Sequence, residues 1–220
     1  MSKHSPPLAS LEGSPSWPAI DPVRRLIGRL FLKFFGWGLE GGPPSIPKAV
    51  FVAAPHTSNW DLPLMLAVAW SLGLAPAWFG KHTVFRFPFG IFFRWLGGIP
   101  IDRRTQNDRV AAAVEQFAES EQLFLVISPP GTRRKTDRWK SGFYQVARLA
   151  QVHVCCSFLD FERKVGGIGP AFRVSDDVRA DMDQLRAFYG PIAPKHPELK
   201  SEIRLDMEEG VELPIAASAG

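Results

Sequence analysis

His56 and Asp61 stand five positions apart in Pro55-His56-Thr57-Ser58-Asn59-Trp60-Asp61, directly after the apolar run Ala49-Val50-Phe51-Val52-Ala53-Ala54. A neutral imidazole is the side chain best suited to take a proton near pH 7. A carboxylate bonded to one ring nitrogen fixes the tautomer and leaves the other nitrogen free for that work. In a continuous helix, residues five apart are separated by about 140° around the axis and do not meet. The spacing therefore predicts a turn between a strand and a helix. Asp61 would sit near the helix N-cap, with Pro63 in the first turn and the helix running from Leu64 to Leu72. The residues alone fit either a base with its orienting acid, or a helix-capping Asp beside an unrelated loop histidine.

Cationic groups follow two further apolar stretches. Leu96-Gly97-Gly98-Ile99-Pro100-Ile101 runs into Asp102-Arg103, and Leu123-Phe124-Leu125-Val126-Ile127 runs into Ser128-Pro129-Pro130-Gly131-Thr132-Arg133-Arg134-Lys135. A strand, a Pro/Gly turn with free backbone donors, a hydroxyl and successive cations suit a phosphate or another anion.

A strand and His loop, then a strand and Arg, then a strand and Gly-Thr-Arg loop, in that order, resemble the glycerolipid acyltransferases. The likeness is to the lysophosphatidic acid (1-acyl-glycerol-3-phosphate) acyltransferase family, over roughly residues 46 to 160. The resemblance implies that His56 and Asp61 are catalytic and that Arg103 binds the acceptor's phosphate. Gly131, Thr132 and Arg133 match the end of the family's third block. Phe79-Gly80-Lys81 with Phe87-Pro88-Phe89-Gly90 is similar to the link in which a Lys, here Lys81, faces the polar site. Two departures stand out: Pro130 replaces the third block's Glu and Ser128 its Phe, while Val152 to Ser157 lacks both prolines of the fourth block.

The implied reaction moves a fatty acyl group from acyl-CoA or acyl carrier protein to a lysophospholipid hydroxyl, with no metal or other cofactor. Pro130 leaves open a different acceptor, such as an amino-acid lipid or another lysolipid, and a non-catalytic lipid-binding relative is the further alternative. No Gly-x-Ser-x-Gly elbow supplies a nucleophilic serine, and no Gly-x-x-x-x-Gly-Lys-Ser/Thr pattern supports nucleotide binding.

The elements that must position these groups are legible in the hydrophobic pattern. The 220 residues, 45% apolar and 22% charged, suffice for one domain with a full core. The net charge of +4 is modest, and no nucleic-acid partner is expected. The only cysteines, Cys155 and Cys156, are adjacent, fit no disulfide framework or metal spacing, and are expected on opposite sides of a strand in a reducing compartment. Residues 1–20, rich in Pro and Ser and without an apolar run, are expected to form a disordered lead with no signal-peptide pattern.

In the segment 21–42, Val23, Leu26, Ile27, Leu30, Phe31 and Phe34 recur at helical spacing, with Arg24, Arg25, Arg29 and Lys33 toward the other side. Leu32, Phe35 and Trp37 widen the apolar face, and Gly36 and Gly38 end the helix. Such a cationic amphipathic helix suits a membrane surface on the cytoplasmic face, peripheral or monotopic; the alternative is docking on the protein's own sheet. Leu62 to Gly80 carries no charge for nineteen residues, but Pro63, Gly73 and Pro76 interrupt it, so it is assigned a buried helix and a strand Ala75–Phe79. Val84 to Trp95 holds six aromatics and two arginines and fits either core or an acyl-tunnel wall.

Helices are predicted over Thr105–Ser120, with Val110, Ala113, Val114 and Phe117 on one face, and over Ser141–Ala150. A strand is predicted over Val152–Phe161 and a short one at Phe172–Val174. A polar helix over Asp177–Tyr189 opens at Asp176 or Asp177. Residues 43–190 thus make an α/β domain, a mostly parallel central sheet flanked by helices. Residues 191–220 are a tail with a weak helical hint at Glu198–Glu209. In such sheets ligands bind at the carboxyl ends of the strands, where His56, Arg103 and Arg133 would converge. Arg134, Lys135, Arg138 and Lys140 are assigned to a solvated or headgroup-facing patch, and His82, His153 and His196 to no role.

Overall fold

A single sheet organises the molecule, and its strand order explains where the polar loops fall. The computed structural model describes residues 20–101 and 106–210. The strands are β1 Gly38–Glu40, β2 Lys48–Ala53, β3 Pro76–Lys81, β4 Gly98–Ile101, β5 Leu123–Ile127, β6 His153–Asp160 and β7 Val165–Arg173. The helices are α1 Pro22–Phe35, α2 Asp61–Ser71, α3 Gly90–Trp95, α4 Gln106–Glu119, α5 Gly142–Leu149 and α6 Val178–Tyr189. The sheet order is β1-β7-β6-β2-β5-β3-β4, with every neighbouring pair parallel except β6 and β7.

β2 and β5 are apolar throughout their centres because both faces of the sheet are covered. Val50, Val52, Leu125, Val154 and Cys156 face one layer, where they pack with residues of α4, α5 and α6. Ala49, Phe51, Phe124, Cys155 and Ile168 face the other, with Ala69 of α2 and Leu74. Cys155 and Cys156 therefore do point to opposite sides of one buried strand. Burial pushes the Cys156 thiol up to about 12 and raises Cys155 as well.

α1 lies on α2 rather than on the sheet. Asp21 caps it by accepting the Val23 amide at 2.9 Å, and Gly36, left-handed at φ 69°, ends it. The helices approach closely at Gly28, where a Cβ would come within 2.7 Å of the Ala67 carbonyl oxygen. Leu32 completes the contact with Leu64, Ala67 and Val68. The docked face is thus narrow, and Val23, Leu26, Ile27, Leu30 and Phe34 stay exposed on the outer side.

Several boundaries differ from expectation: α2 begins at Asp61 rather than Leu64, and β3 runs to Lys81 rather than Phe79. The short strand at Phe172–Val174 is in fact the end of the nine-residue β7, which starts at Val165 and pairs antiparallel with β6. Gly38 does follow the end of α1, but it also opens β1, parallel to β7. The Val84–Trp95 segment holds the end of a 3-10 turn, His82–Phe85, and α3. α6 opens at Asp177, whose carboxylate accepts the Ala180 amide.

Beyond α6, the chain to residue 210 packs back on the domain. Leu205 and Ile192 join the main core. The Trp139 amide donates to the Arg204 carbonyl, and Ser201 Oγ accepts the Thr136 amide. The helical hint at Glu198–Glu209 resolves into two 3-10 turns, Pro197–Leu199 and Asp206–Glu209.

Candidate active site

Strand register sets the site. Val52 pairs with Ile127, Ala53 with Ser157 and Trp78 with Val126, so β2, β5 and β3 all finish at one edge of the sheet. Directly beyond the ends of β2 and β5 come Ala54-Pro55-His56 and Ser128 to Arg133, and Lys81 is the last residue of β3.

The His loop folds back on the first residue of α2. His56 Nδ1 lies 2.9 Å from Asp61 Oδ2, and the same oxygen accepts the amides of Thr57 and Ser58, each at 2.9 Å. Because a carboxylate only accepts, Nδ1 donates this bond, and in the neutral ring Nε2 is the nitrogen that keeps a lone pair. Asp61 stands one residue inside the position expected of a cap. Its side chain makes no cap bond to the helix, and it serves the preceding turn instead. The positive end of α2 favours the anion there. Its side chain is 8% exposed against 26% for His56, so the acid is sheltered and the base reachable.

Other contacts hold the loop from behind. Tyr189, fully buried, donates to the Val52 carbonyl at 2.6 Å and accepts the Ser157 amide at 3.1 Å, tying the ends of β2 and β6. Thr57 Oγ1 accepts the His196 amide at 3.2 Å, and the Lys195 ammonium sits 5.2 Å from the centre of the Trp60 ring.

His56 and Asp61 open onto a cleft of about 390 Å³. Its polar wall is completed by Ser128, Gly131, Lys140 and Arg109, while Phe51, Met65, Ala69, Trp78 and Val126 line an apolar part. Two buried oxygens on this wall, Asp61 Oδ1 and Ser128 Oγ, have no hydrogen-bond partner among the described residues. The cleft therefore joins a proton acceptor, cations and an apolar lining, which suits an amphiphile that reacts at its polar end.

Of the residues expected at the site, His56, Asp61 and Gly131 line this cleft. Thr132 Oγ1 accepts the Arg134 amide within its own turn, and Arg133 is exposed away from the lining. Lys81 is exposed at the end of β3, on the same edge but off the cleft wall. Arg103 lies outside the described residues.

The four cations assigned to a patch separate. Arg134 and Lys135 are exposed, and Arg138 is tied to Asp206 at 2.6 Å and Glu209 at 2.9 Å. Lys140 does not belong with them, because it stands on the cleft wall. Its Nζ is 3.4 Å from where a Gly131 Cβ would sit, and the left-handed backbone of Gly131, φ 66°, turns the loop past it. Arg109, in the first turns of α4, was not singled out in the sequence. The available signal was a cation at a helix N-terminus, where the dipole disfavours it unless an anion is near.

A family model described as Acyltransferase matches residues 42–158. No curated protein matches the chain. Among solved structures, the 1-acyl-sn-glycerophosphate (LPA) acyltransferase PlsC from Thermotoga maritima is similar, with a TM-score of 0.53 and 16% identity over 74% of this chain and 75% of that one. At that identity the likeness is one of fold. The chain belongs to the acyltransferase family, and the three blocks it carries are those of the glycerolipid type.

Proposed function

We propose that this acyltransferase moves a fatty acyl group from a thioester, acyl-CoA or acyl carrier protein, to the hydroxyl of a lysophospholipid such as 1-acyl-glycerol-3-phosphate. The observation that carries the proposal is the His56 Nδ1 to Asp61 Oδ2 contact at the mouth of a cleft that is part cationic and part apolar. His56 Nε2 takes the acceptor's hydroxyl proton as its oxygen attacks the thioester carbonyl carbon. The tetrahedral intermediate then collapses, the carbon–sulfur bond breaks, and the imidazolium returns the proton to the thiolate. No covalent acyl-enzyme is needed, and both cysteine thiols are too buried and too weakly acidic to form one.

Lys140, Arg109 and the Gly131 turn would hold the acceptor's phosphate, aided by Arg103, Arg133 and Lys81 as the family resemblance implies. The apolar part of the cleft takes an acyl chain. No described helix is long and apolar enough to cross a membrane. The exposed apolar stripe of α1, with Arg25, Arg29 and Lys33, suits peripheral contact with a lipid surface at the cytoplasmic face.

A second acceptor class remains open at one position. Pro130 is buried beside the cleft loop and brings no carboxylate, which favours an acceptor headgroup other than glycerol phosphate. Thiol release measured with one acyl-CoA across lysophosphatidic acid, other lysophospholipids and hydroxylated or amino-acid lipids tests both. Turnover with lysophosphatidic acid supports the first acceptor, turnover with another lipid alone the second, and none with any acceptor or donor contradicts the proposal.

A further inference from the structure

We infer that the aromatic turn from Phe87 to Phe92 is a second contact with an anionic lipid surface, set beside α1 so that the two segments form one footing. This extends the membrane-facing role given above to α1 and does not depend on the chemistry of His56.

Phe87 is 94% exposed, Ile91 80%, Phe89 64% and Phe92 53%. Single exposed apolar side chains are ordinary, but four within six residues form a patch that water solvates poorly. The turn is not loosely attached. Phe85, buried just before it, fills a notch that exists because Gly80 and Gly98 lack side chains: a Cβ on either would lie 2.6 or 2.8 Å from its ring. Trp78 and Phe93 close round the same ring, and the Arg94 guanidinium lies 5.5 Å from its centre. One aromatic anchors the segment and the others are held outward.

The patch is joined to α1. Arg24 places its guanidinium 4.9 Å from the Trp95 ring and 6.0 Å from Trp70, and Trp95 stacks with Phe92. At its other end α1 brings Phe35 against Trp60, four residues after His56, with ring centroids 5.4 Å apart. The footing thus runs from the aromatic turn along α1 to the His loop, where Leu62, partly exposed, lines the cleft.

Charge identifies the partner. Between Pro22 and Ile101 the chain has eight Lys and Arg but two acids, Glu40 and Asp61. Asp61 is buried and Glu40 is paired with Arg163, so the free charge of this flank is positive. Rings flanked by Arg86 and Arg94 match the boundary of a bilayer, with apolar groups toward the acyl chains and guanidinium groups toward anionic headgroups. A second copy of this chain would bring cations against cations.

The test uses the full chain and vesicles of phosphatidylglycerol or phosphatidylcholine, read by flotation. Wild type is expected to bind the anionic vesicles more tightly. The variant Phe87→Ser/Phe89→Ser/Ile91→Ser, with its melting temperature checked, is expected to partition at least about tenfold less, although α1 is intact. His56→Ala should bind like wild type, which separates failure of the footing from failure of the acyl-transfer proposal. Both native cysteines are buried, so a polarity-sensitive dye on Phe87→Cys reports this site alone, and a blue shift on adding anionic vesicles is expected. Undiminished binding by the triple variant, no shift at position 87, equal binding to both vesicle types, or a patch that proves buried in a self-association the triple variant abolishes would overturn the inference.

Discussion

His56 Nδ1 meets Asp61 Oδ2 at 2.9 Å, and that one carboxylate oxygen also gathers the amides of Thr57 and Ser58. The acid that aims the ring is the acid that shapes the loop. Asp61→Asn keeps a carbonyl oxygen for the two amides but offers the ring a group that can donate, which disturbs the tautomer. It is expected to cut kcat on the order of 10²–10⁴-fold with a modest change in melting temperature. Asp61→Ala should add about 1–3 kcal/mol of destabilisation by orphaning the loop amides. Thiol release and thermal denaturation on the two variants distinguish orientation from scaffolding.

Lys140 stands on the cleft wall beside the left-handed turn at Gly131. Lys140→Met is expected to raise KM for a phosphate-bearing acceptor by about tenfold or more while changing kcat less, as loss of a charge-assisted contact requires. The KM for the acyl thioester should move little. A fall in kcat alone would place Lys140 at the reacting atoms instead.

Cys155 and Cys156 are buried on opposite faces of β6, and burial holds both thiols above their ordinary range. Neither is expected to react with a thiol reagent at pH 8 in the folded protein, and both should react after denaturation. Acyl transfer should survive treatment with iodoacetamide.

Asp160 closes β6. Burial alone pushes its carboxyl up, but hydrogen bonds from the Arg163 guanidinium and amide and the Glu162 amide, with the Arg163 charge, hold it below the ordinary range. A depressed folded value contributes stability above the unfolded carboxylate value of about 3.9, and that contribution is lost as pH falls through the lower folded value. Asp160→Asn should therefore lower the melting temperature at pH 7 and flatten its decline below about pH 4. Melting curves between pH 7 and pH 3 check this.

Much of this fold could be read from the chain, and the exceptions have physical causes. The apolar runs of β2 and β5 are unambiguous because both faces are covered, and the His loop had to be a turn because helical geometry separates its two residues. β7 was largely hidden because Val165-Gly166-Gly167-Ile168-Gly169-Pro170 reads as a loop. Its glycines are required by packing: a Cβ on Gly167 would overlap the Glu40 carbonyl of β1. α1 showed its amphipathic pattern, yet pattern does not say which face docks. The contact is made through Gly28 and Leu32, and the apolar stripe is left outside. Lys140 and Arg109 were missed as cleft residues because nothing local distinguishes a cation on a cleft wall from a solvated one.

The most direct test compares wild type and His56→Ala for acceptor-dependent thiol release from an acyl-CoA, with lysolipid presented on anionic vesicles. A wild-type rate that falls on the order of 10²-fold or more in the variant, at unchanged vesicle binding and melting temperature, is what proton abstraction by His56 requires. A variant within a few-fold of wild type would contradict it.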